Sequence, residues 1–211
     1  MLSPRSEGHR SLTRVPRSFF RRYTPKVAKD LLGTRLVRTI DGARLSGVIV
    51  EVEAYRGAKD PASHAYRGRS RRNEVMYGPP GHAYVYFTMG MHHCLNITTE
   101  PEGIAAAVLI RALEPLEGIE EMRRNRGVED IRNLASGPGN LTKALGIDMS
   151  LNGEDMVKSR SLFLEAGKSP IEVGRSARVG VSRGASFRWR FFVRANAFVS
   201  KGRPSLSSQN P

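Results

Sequence analysis

Apolar and polar positions alternate along most of this chain, and helical spacing replaces the alternation only in short stretches. Two β-rich runs, Thr34 to Ile40 and Arg44 to Tyr55, are split by the turn pair Asp41-Gly42 and predict a hairpin. Further strands are expected at Ala83 to Thr88, His92 to Thr98 and Ala105 to Glu114, then at Leu162 to Glu165, Ala177 to Val181 and Trp189 to Val193. Thr24-Pro25 has the form of a helix start, with Thr24 as N-cap, Pro25 in the first helical position and Gly33 as the stop. Pro115 is expected to open a helix over Leu116 to Arg124, and another fits Leu141 to Leu145, closed by Gly146. Between them, Arg56 to Gly81 reads as a loop with five arginines (Arg56, Arg67, Arg69, Arg71, Arg72), and a loop this long inside a domain is often functional. Many strands with few short helices predict an α+β protein: a single compact domain on a curved, mostly antiparallel β-sheet with a few short peripheral helices. The domain is expected over residues 18–202, with order beginning near Phe19-Phe20, between a disordered basic arm (1–17) and a disordered Ser- and Pro-rich tail (203–211).

Composition changes the picture mainly through charge. The 211 residues suffice for one sizeable core and carry 34 Lys and Arg against 20 Asp and Glu, a formal net charge of +14. Such an excess speaks to partners, and nucleic acid leads because phosphates repay each cationic contact by releasing counterions. An anionic membrane is the other candidate, but there is no amphipathic Lys-rich helix and no apolar run long enough to span a bilayer. The single cysteine, Cys94, excludes an intramolecular disulfide and points to a reducing compartment. No apolar h-region marks a secretory signal; the Arg- and Ser-rich start resembles a transit peptide in composition but reads better as an arm for phosphate contacts.

The candidate chemistry begins in Val48-Ile49-Val50-Glu51-Val52-Glu53-Ala54-Tyr55. Strand alternation turns Val48, Val50, Val52 and Ala54 to the core and Ile49, Glu51, Glu53 and Tyr55 to the other face, with the two carboxylates roughly 6 to 7 Å apart. Taken alone, this strand is explained better by a solvated outer face than by catalysis. The surroundings shift the balance: Tyr84 and Tyr86 share a face of a later strand, His64 sits in the Arg-rich loop, and aromatic faces stack on bases of any sequence. Other signals carry less. His92-His93-Cys94 puts neighbouring residues on opposite faces and no second pair has zinc-like spacing, so no metal and no other cofactor is expected. Cys94 reads as inert packing, and Ser136-Gly137-Pro138-Gly139 as a tight loop before a helix.

These residues resemble the alkyladenine (3-methyladenine) DNA glycosylase family, the type found in mammals. The resemblance rests on Val50 to Tyr55, Ala62-Ser63-His64, Asn73 to Met76, Gly81 to Tyr86, Cys94 to Ile97, Leu109 to Pro115, Ser136-Gly137-Pro138, Ala177 to Val181 and Phe192-Val193-Arg194, covering roughly Phe19 to Gly202. It implies that Glu53 is the general base, that Arg111 helps hold Glu53 and the attacking water, and that the backbone carbonyl of Val179 also holds that water. It implies that Tyr55, His64 and Tyr86 sandwich a flipped base, that Tyr84 orients His64, and that Asn96 collides with the exocyclic amine of guanine. Met89 stands where well-known members carry a tyrosine that fills the gap left by the base, and methionine is an apolar but more flexible wedge. Met76, Met91 and His92 match the neighbouring minor-groove surface.

The resemblance therefore implies base-excision repair: hydrolysis of the N-glycosidic bond of alkylated or deaminated purines (3-methyladenine, 7-methylguanine, hypoxanthine, ethenoadenine) in double-stranded DNA. No lysine is placed as a Schiff-base nucleophile, so a monofunctional enzyme that leaves an abasic site is expected. Two other readings stay open: a carbohydrate glycosidase using Glu51 and Glu53, which the basic surface disfavours, and a nucleic-acid-binding module without catalysis. A monomer is expected, located in the cytoplasm and nucleoid of a bacterium or the nucleus of a eukaryote.

Overall fold

A computed structural model describes residues 13–170 and 172–202. Its eight strands are β1 (Arg35–Ile40), β2 (Ala43–Arg56), β3 (Ala83–Thr88), β4 (His92–Thr98), β5 (Ala106–Glu117), β6 (Leu162–Glu165), β7 (Val173–Ser176) and β8 (Arg190–Val193). They form one sheet in the order β3-β4-β5-β2-β1-β6, with β8 joined to β2 and β7 to β8, and every ladder is antiparallel. Four helices, α1 (Arg17–Phe20), α2 (Thr24–Leu31), α3 (Ile119–Arg126) and α4 (Pro138–Ala144), lie against it. This is the α+β domain on a curled antiparallel sheet that the alternation predicts.

β2 organises the molecule. One edge pairs with β5 along nearly its whole length; the other pairs first with β1 and then, from Glu51 to Glu53, with β8. The β2–β5 register slips three times: once between Ser46 and Gly47, which face Glu117 and Pro115, and twice around Glu51, where Ile49 faces Leu113, Glu51 faces Ala112, and Val52 faces Ile110. Val50 and Arg111 are thus extra residues in a bulged stretch. The bulge corrects the expected alternation. Leu45, Ile49, Val52 and Ala54 join the main apolar core, whereas Val48 and Val50 do not, because the extra residue changes which side the strand presents. Downstream of the bulge the expected sides hold, and Glu51 and Glu53 both reach Arg111 on the face opposite Val52 and Ala54.

Other expectations need correction. The position preceding α2 is Tyr23, not Thr24; Thr24 is buried and its hydroxyl donates to Glu100 Oε1 at 2.5 Å, so a carboxylate from the loop after β4 claims it. β5 continues through Pro115 to Glu117 where a helix start is expected; Pro115 falls at a register shift opposite Gly47, where a missing N–H is tolerated, and α3 starts only after Gly118. α4 begins at Pro138, three residues before Leu141, placing proline in its first turn. Ala177 to Val181 is not a strand: β7 ends at Ser176, and the buried guanidinium of Arg178 draws the chain off the sheet toward Asp60. Residues 1–12 of the expected arm and the expected tail, 203–211, lie outside the described residues. The last part of the arm, 13–17, packs on the domain: Arg14 bridges to Glu165, Val15 is buried, and Arg17 opens α1 and pairs with Asp155.

α2 lies across β2 and β5, and α4 against β4 and β5, and together they cover the main core. A smaller cluster of Ala65, Met76, Tyr84, Ala105 and Ala107 fixes the long loop to the sheet. Asn73 orders that loop from within, donating its amide to the carbonyls of His64 and Gly68 at 2.9 Å each. Among the described residues no helix is long and apolar enough to cross a membrane.

Candidate active site

Glu53 stands near the C-terminal end of β2 with no exposed surface, and its carboxylate is held by polar groups. The backbone N–H of Val179 donates to Oε1 at 2.7 Å, and the Tyr55 hydroxyl donates to Oε2 at 2.7 Å. Arg111 Nη1 lies 3.4 Å from Oε2. Val179, expected to offer its carbonyl, thus also engages Glu53 through its N–H. A carboxylate accepts at about four lone-pair positions, so these contacts leave acceptor capacity.

Tyr55, Arg111 and Val179 also line a cleft of about 380 Å³, within the usual range for a small-ligand site. Glu53 lies behind these three. His64, Tyr84 and Tyr86 line the same cleft. The His64 ring stands edge-on to Tyr86 with centroids 4.5 Å apart, and its Nδ1 lies 2.8 Å from the Tyr84 hydroxyl. Tyr84 is itself buried, so its hydroxyl is a fixed partner for the imidazole. Burial, then the Arg72 guanidinium, lowers the His64 pKa, which favours the neutral ring. Burial likewise pushes the Tyr84 hydroxyl up to about 12 and raises those of Tyr55 and Tyr86 well above the usual value, so all three remain protonated donors. Asn96 lies on the cleft wall with its amide donating to the Tyr84 carbonyl at 3.1 Å, which fixes its orientation.

The β3–β4 hairpin overhangs this cleft. Its tip is Met89-Gly90, both with positive φ (52° and 68°), closed by the Met91 N–H donating to the Thr88 carbonyl. Primed hairpin turns need such a pair, and glycine suits it; methionine there is uncommon. Met89 is 85 % exposed and Met91 70 % exposed. His92 is also exposed and rests on Gly139 of α4, so close that a Cβ on that glycine would lie 2.9 Å from the ring. Met76 departs from its expected place on the DNA-facing surface. It is buried in the smaller core cluster and lines the cleft floor, since the turn Glu74–Tyr77 rolls it inward.

The structure adds residues to which the family resemblance gives no role. Glu51 is also fully buried, but away from the cleft, accepting from Arg111 Nε (2.8 Å), Arg190 Nε (2.7 Å) and the Ser200 N–H (2.7 Å). Burial pushes its carboxyl up, but Arg111, Arg190 and the Ser200 N–H outweigh that and hold it below the usual range. Arg178 donates to both oxygens of Asp60 at 2.6 and 2.7 Å and to the Ala54 carbonyl at 2.9 Å, all out of contact with solvent. Its guanidinium stands 4.5 Å from the Tyr55 ring centroid. Cys94, read as inert packing, is buried beside Tyr86 and contributes to the cleft lining, as do Pro138 and Gly139. A signal existed for Arg178 and Asp60: they sit within or beside the short motifs around Val179 and His64, although their pairing is long-range.

Known proteins resemble this chain along most of its length. The model of the family described as "Methylpurine-DNA glycosylase (MPG)" matches residues 18–197. A protein of Carboxydothermus hydrogenoformans is 49 % identical over 189 residues, covering 89 % of this chain and 98 % of the relative. One of Methanoculleus marisnigri is 46 % identical over 192 residues, covering 89 % and 98 %, and one of Chlorobaculum tepidum is 45 % identical over 195 residues, covering 92 % and 93 %. All three carry the name "Putative 3-methyladenine DNA glycosylase".

Proposed function

This chain belongs to the methylpurine-DNA glycosylase family and is a DNA-repair glycosylase, and on that premise we propose that it hydrolyses the N-glycosidic bond of alkylated or deaminated purines flipped out of duplex DNA. Glu53 is the general base. The observation that carries this reading is its setting: a buried carboxylate held by the Val179 N–H, the Tyr55 hydroxyl and Arg111, directly behind an aromatic cleft.

The steps follow from the residues. A base inside a duplex cannot reach the cleft, so the nucleotide is extruded at a cost of a few kcal/mol, least for damaged or mispaired bases. Met89, at the tip of the overhanging hairpin, enters the gap as an apolar wedge. The purine lies between Tyr55 on one side and His64 and Tyr86 on the other, and a positively charged alkylpurine gains cation–π attraction from the tyrosine faces. Asn96, its amide fixed on the Tyr84 carbonyl, rejects the exocyclic amine of guanine by collision.

Bond breaking develops positive charge on the sugar, and the buried Glu53 carboxylate stabilises it while taking a proton from the attacking water. Water reaches Glu53 as Tyr55 and the 179–181 segment, which cover it, adjust to the bound nucleotide. The Val179 carbonyl and Arg111 hold that water. A cationic alkylpurine leaves as the neutral base and the water proton passes from Glu53 to solvent, whereas a neutral purine takes up one proton as it leaves; the products are a free base and an abasic site, with the strand uncut.

The test is a set of duplexes, each with one defined lesion, incubated with wild-type protein and with Glu53→Gln, then treated with heat or alkali to reveal abasic sites. The variant is expected to keep DNA affinity and lose base release. A binding module without catalysis gives equal results for both proteins and no abasic sites; an adduct trapped by borohydride overturns hydrolysis by water.

A further inference from the structure

Two carboxylates, Glu51 and Glu53, stand on the same face of β2, and the general-base reading uses only one. Glu51 is buried and out of the cleft, so it meets neither substrate nor water there. Its partners are nonetheless those of the site. Its Oε1 accepts from Arg111 Nε at 2.8 Å and from Arg190 Nε at 2.7 Å, and its Oε2 from the Ser200 N–H at 2.7 Å. Arg111 Nη1, at the far end of the same guanidinium, lies 3.4 Å from Glu53 Oε2.

We propose that Glu51 is a positioning residue for base release: it grips Arg111 by Nε, so that the rigid guanidinium fork turns Nη1 onto Glu53, and its charge offsets Arg190. This deepens the general-base reading of Glu53 and rests on it.

Three features support the assignment. The first is geometry. A guanidinium is planar with five donors in a fixed fork, so anchoring Nε sets the direction of both Nη groups. Arg111 is the extra residue of the β5 bulge, and a side chain at a bulge is re-aimed relative to the regular ladder. The second is charge. Glu51, Glu53, Arg111 and Arg190 are all buried, and two anions against two cations leave the cluster neutral. Removing either outer member leaves a full unit of charge near Glu53 in a setting where screening is weak. The third is closure. Residues 196–202 lie over the cluster: besides the Ser200 N–H on Glu51, Gly202 sits so close that a Cβ there would lie 2.9 Å from Val179 Cγ1 and 3.3 Å from Arg111 Nη2. The 196–202 segment thus packs against two of the three groups that hold Glu53, Val179 and Arg111.

The pH dependence of the reaction separates this role from a purely structural one. The polar and titratable groups around Glu53 are Glu51 and Tyr55 on β2, Arg111 on β5, Arg190 opposite it on β8, Cys94 on β4, Tyr86 on β3, and Arg178 with the Val179 N–H on the 177–181 segment. Glu51→Gln removes an anion from the cluster, so the acid limb of base release moves to lower pH. Arg190→Met removes a cation and has the opposite effect.

The experiment measures single-turnover base release from duplexes carrying one lesion, across pH, for wild type, Glu51→Gln, Arg190→Met and Glu53→Gln, with DNA affinity and thermal unfolding in parallel. Glu51→Gln is expected to keep DNA affinity, release base about tenfold more slowly, and move the acid limb down by about one pH unit. Arg190→Met is expected to move the acid limb up by a similar amount. If Glu51→Gln does not fold, the upward displacement in Arg190→Met carries the test alone. Acid limbs that stay in place in the folded variants, with only the melting temperature lowered, overturn the proposal and leave Glu51 a structural residue. If Glu53→Gln releases base as fast as wild type, the general-base reading itself fails.

Discussion

The hydroxyl of Tyr55 donates to Oε2 of Glu53 at 2.7 Å, two residues along the same strand. The residue proposed to stack on the base is therefore bonded to the residue proposed to activate water, and each constrains the other. Burial and the Glu53 charge both push the Tyr55 hydroxyl pKa well up, so it acts as a donor and not as an acid. Tyr55→Phe keeps the stacking face and frees the oxygen. A hydrogen bond to a charged group is worth about 1.5–3 kcal/mol, and its loss removes that stabilisation from the carboxylate that takes the proton from water. Tyr55→Phe is expected to retain base release within about tenfold of wild type, with the acid limb of the pH–rate profile moved upward. A loss of a thousandfold or more in single-turnover rate places the hydroxyl in the chemistry instead.

Asp60 and Arg178 form a fully buried, bidentate ion pair that ties the start of the long loop to the residue before Val179. Removing one partner of such a pair strands the other charge out of water and costs about 3–5 kcal/mol. Asp60→Ala is expected to lose stability in that range by urea unfolding. At temperatures where it stays folded, base release falls more than DNA affinity, because the Val179 N–H is no longer held on Glu53. A destabilisation of less than about 1 kcal/mol marks the pair as no stronger than a surface one.

Met89 occupies a left-handed backbone position at the hairpin tip, with φ of 52°. An L-residue other than Gly, Asn or Asp gives up about 1–2 kcal/mol there. Met89→Asn is expected to raise stability by about 1 kcal/mol and to slow release from a well-paired lesion, with a smaller effect on a mispaired one that extrudes more easily. Equal rates on both substrates argue against a wedge at this position.

His64 links pH to stability. Its pKa in the folded protein is lowered by burial and then by Arg72, so the unfolded chain takes up the proton first as pH falls. The stabilisation is complete above the ordinary histidine pKa of about 6.5 and is lost progressively as pH drops from there through the lower folded value. Thermal unfolding between pH 8 and about 5 is expected to show a downward slope that becomes shallower in His64→Gln. The same slope in both proteins assigns the effect to another group.

Most strands were legible because alternation and turn residues are local signals. β3, β4 and β6 lie where the pattern puts them, and Glu53, Tyr55, Tyr84 and His64 converge as the alternation and the motifs imply. Long-range contacts were not legible. Nothing local marks Glu100 as the partner that takes Thr24 from its capping role, or Asp60 as the anchor that draws Arg178 off the sheet. Pro115 stays in a strand because its partner Gly47 lies at a bulge, and bulges are properties of pairs of strands. Met76 is buried because the smaller core needs an apolar residue under Tyr84, and a methionine in sequence does not distinguish an inner from an outer surface.

β2 has a further consequence for what the gene can tolerate. From Val52 onward, successive residues belong in turn to the core and to the site: Val52 inside, Glu53 at the chemistry, Ala54 inside, Tyr55 at the cleft. Folding and catalysis therefore share one reading frame along the strand. A single residue inserted between Val50 and Ala54 exchanges the two sets downstream, turning carboxylates inward and apolar side chains toward the cleft. Length changes in this strand cannot inactivate the enzyme gradually; they remove fold and activity together. A residue inserted at the Asp41-Gly42 turn, which lies between the paired strands β1 and β2, brings no such exchange at the site.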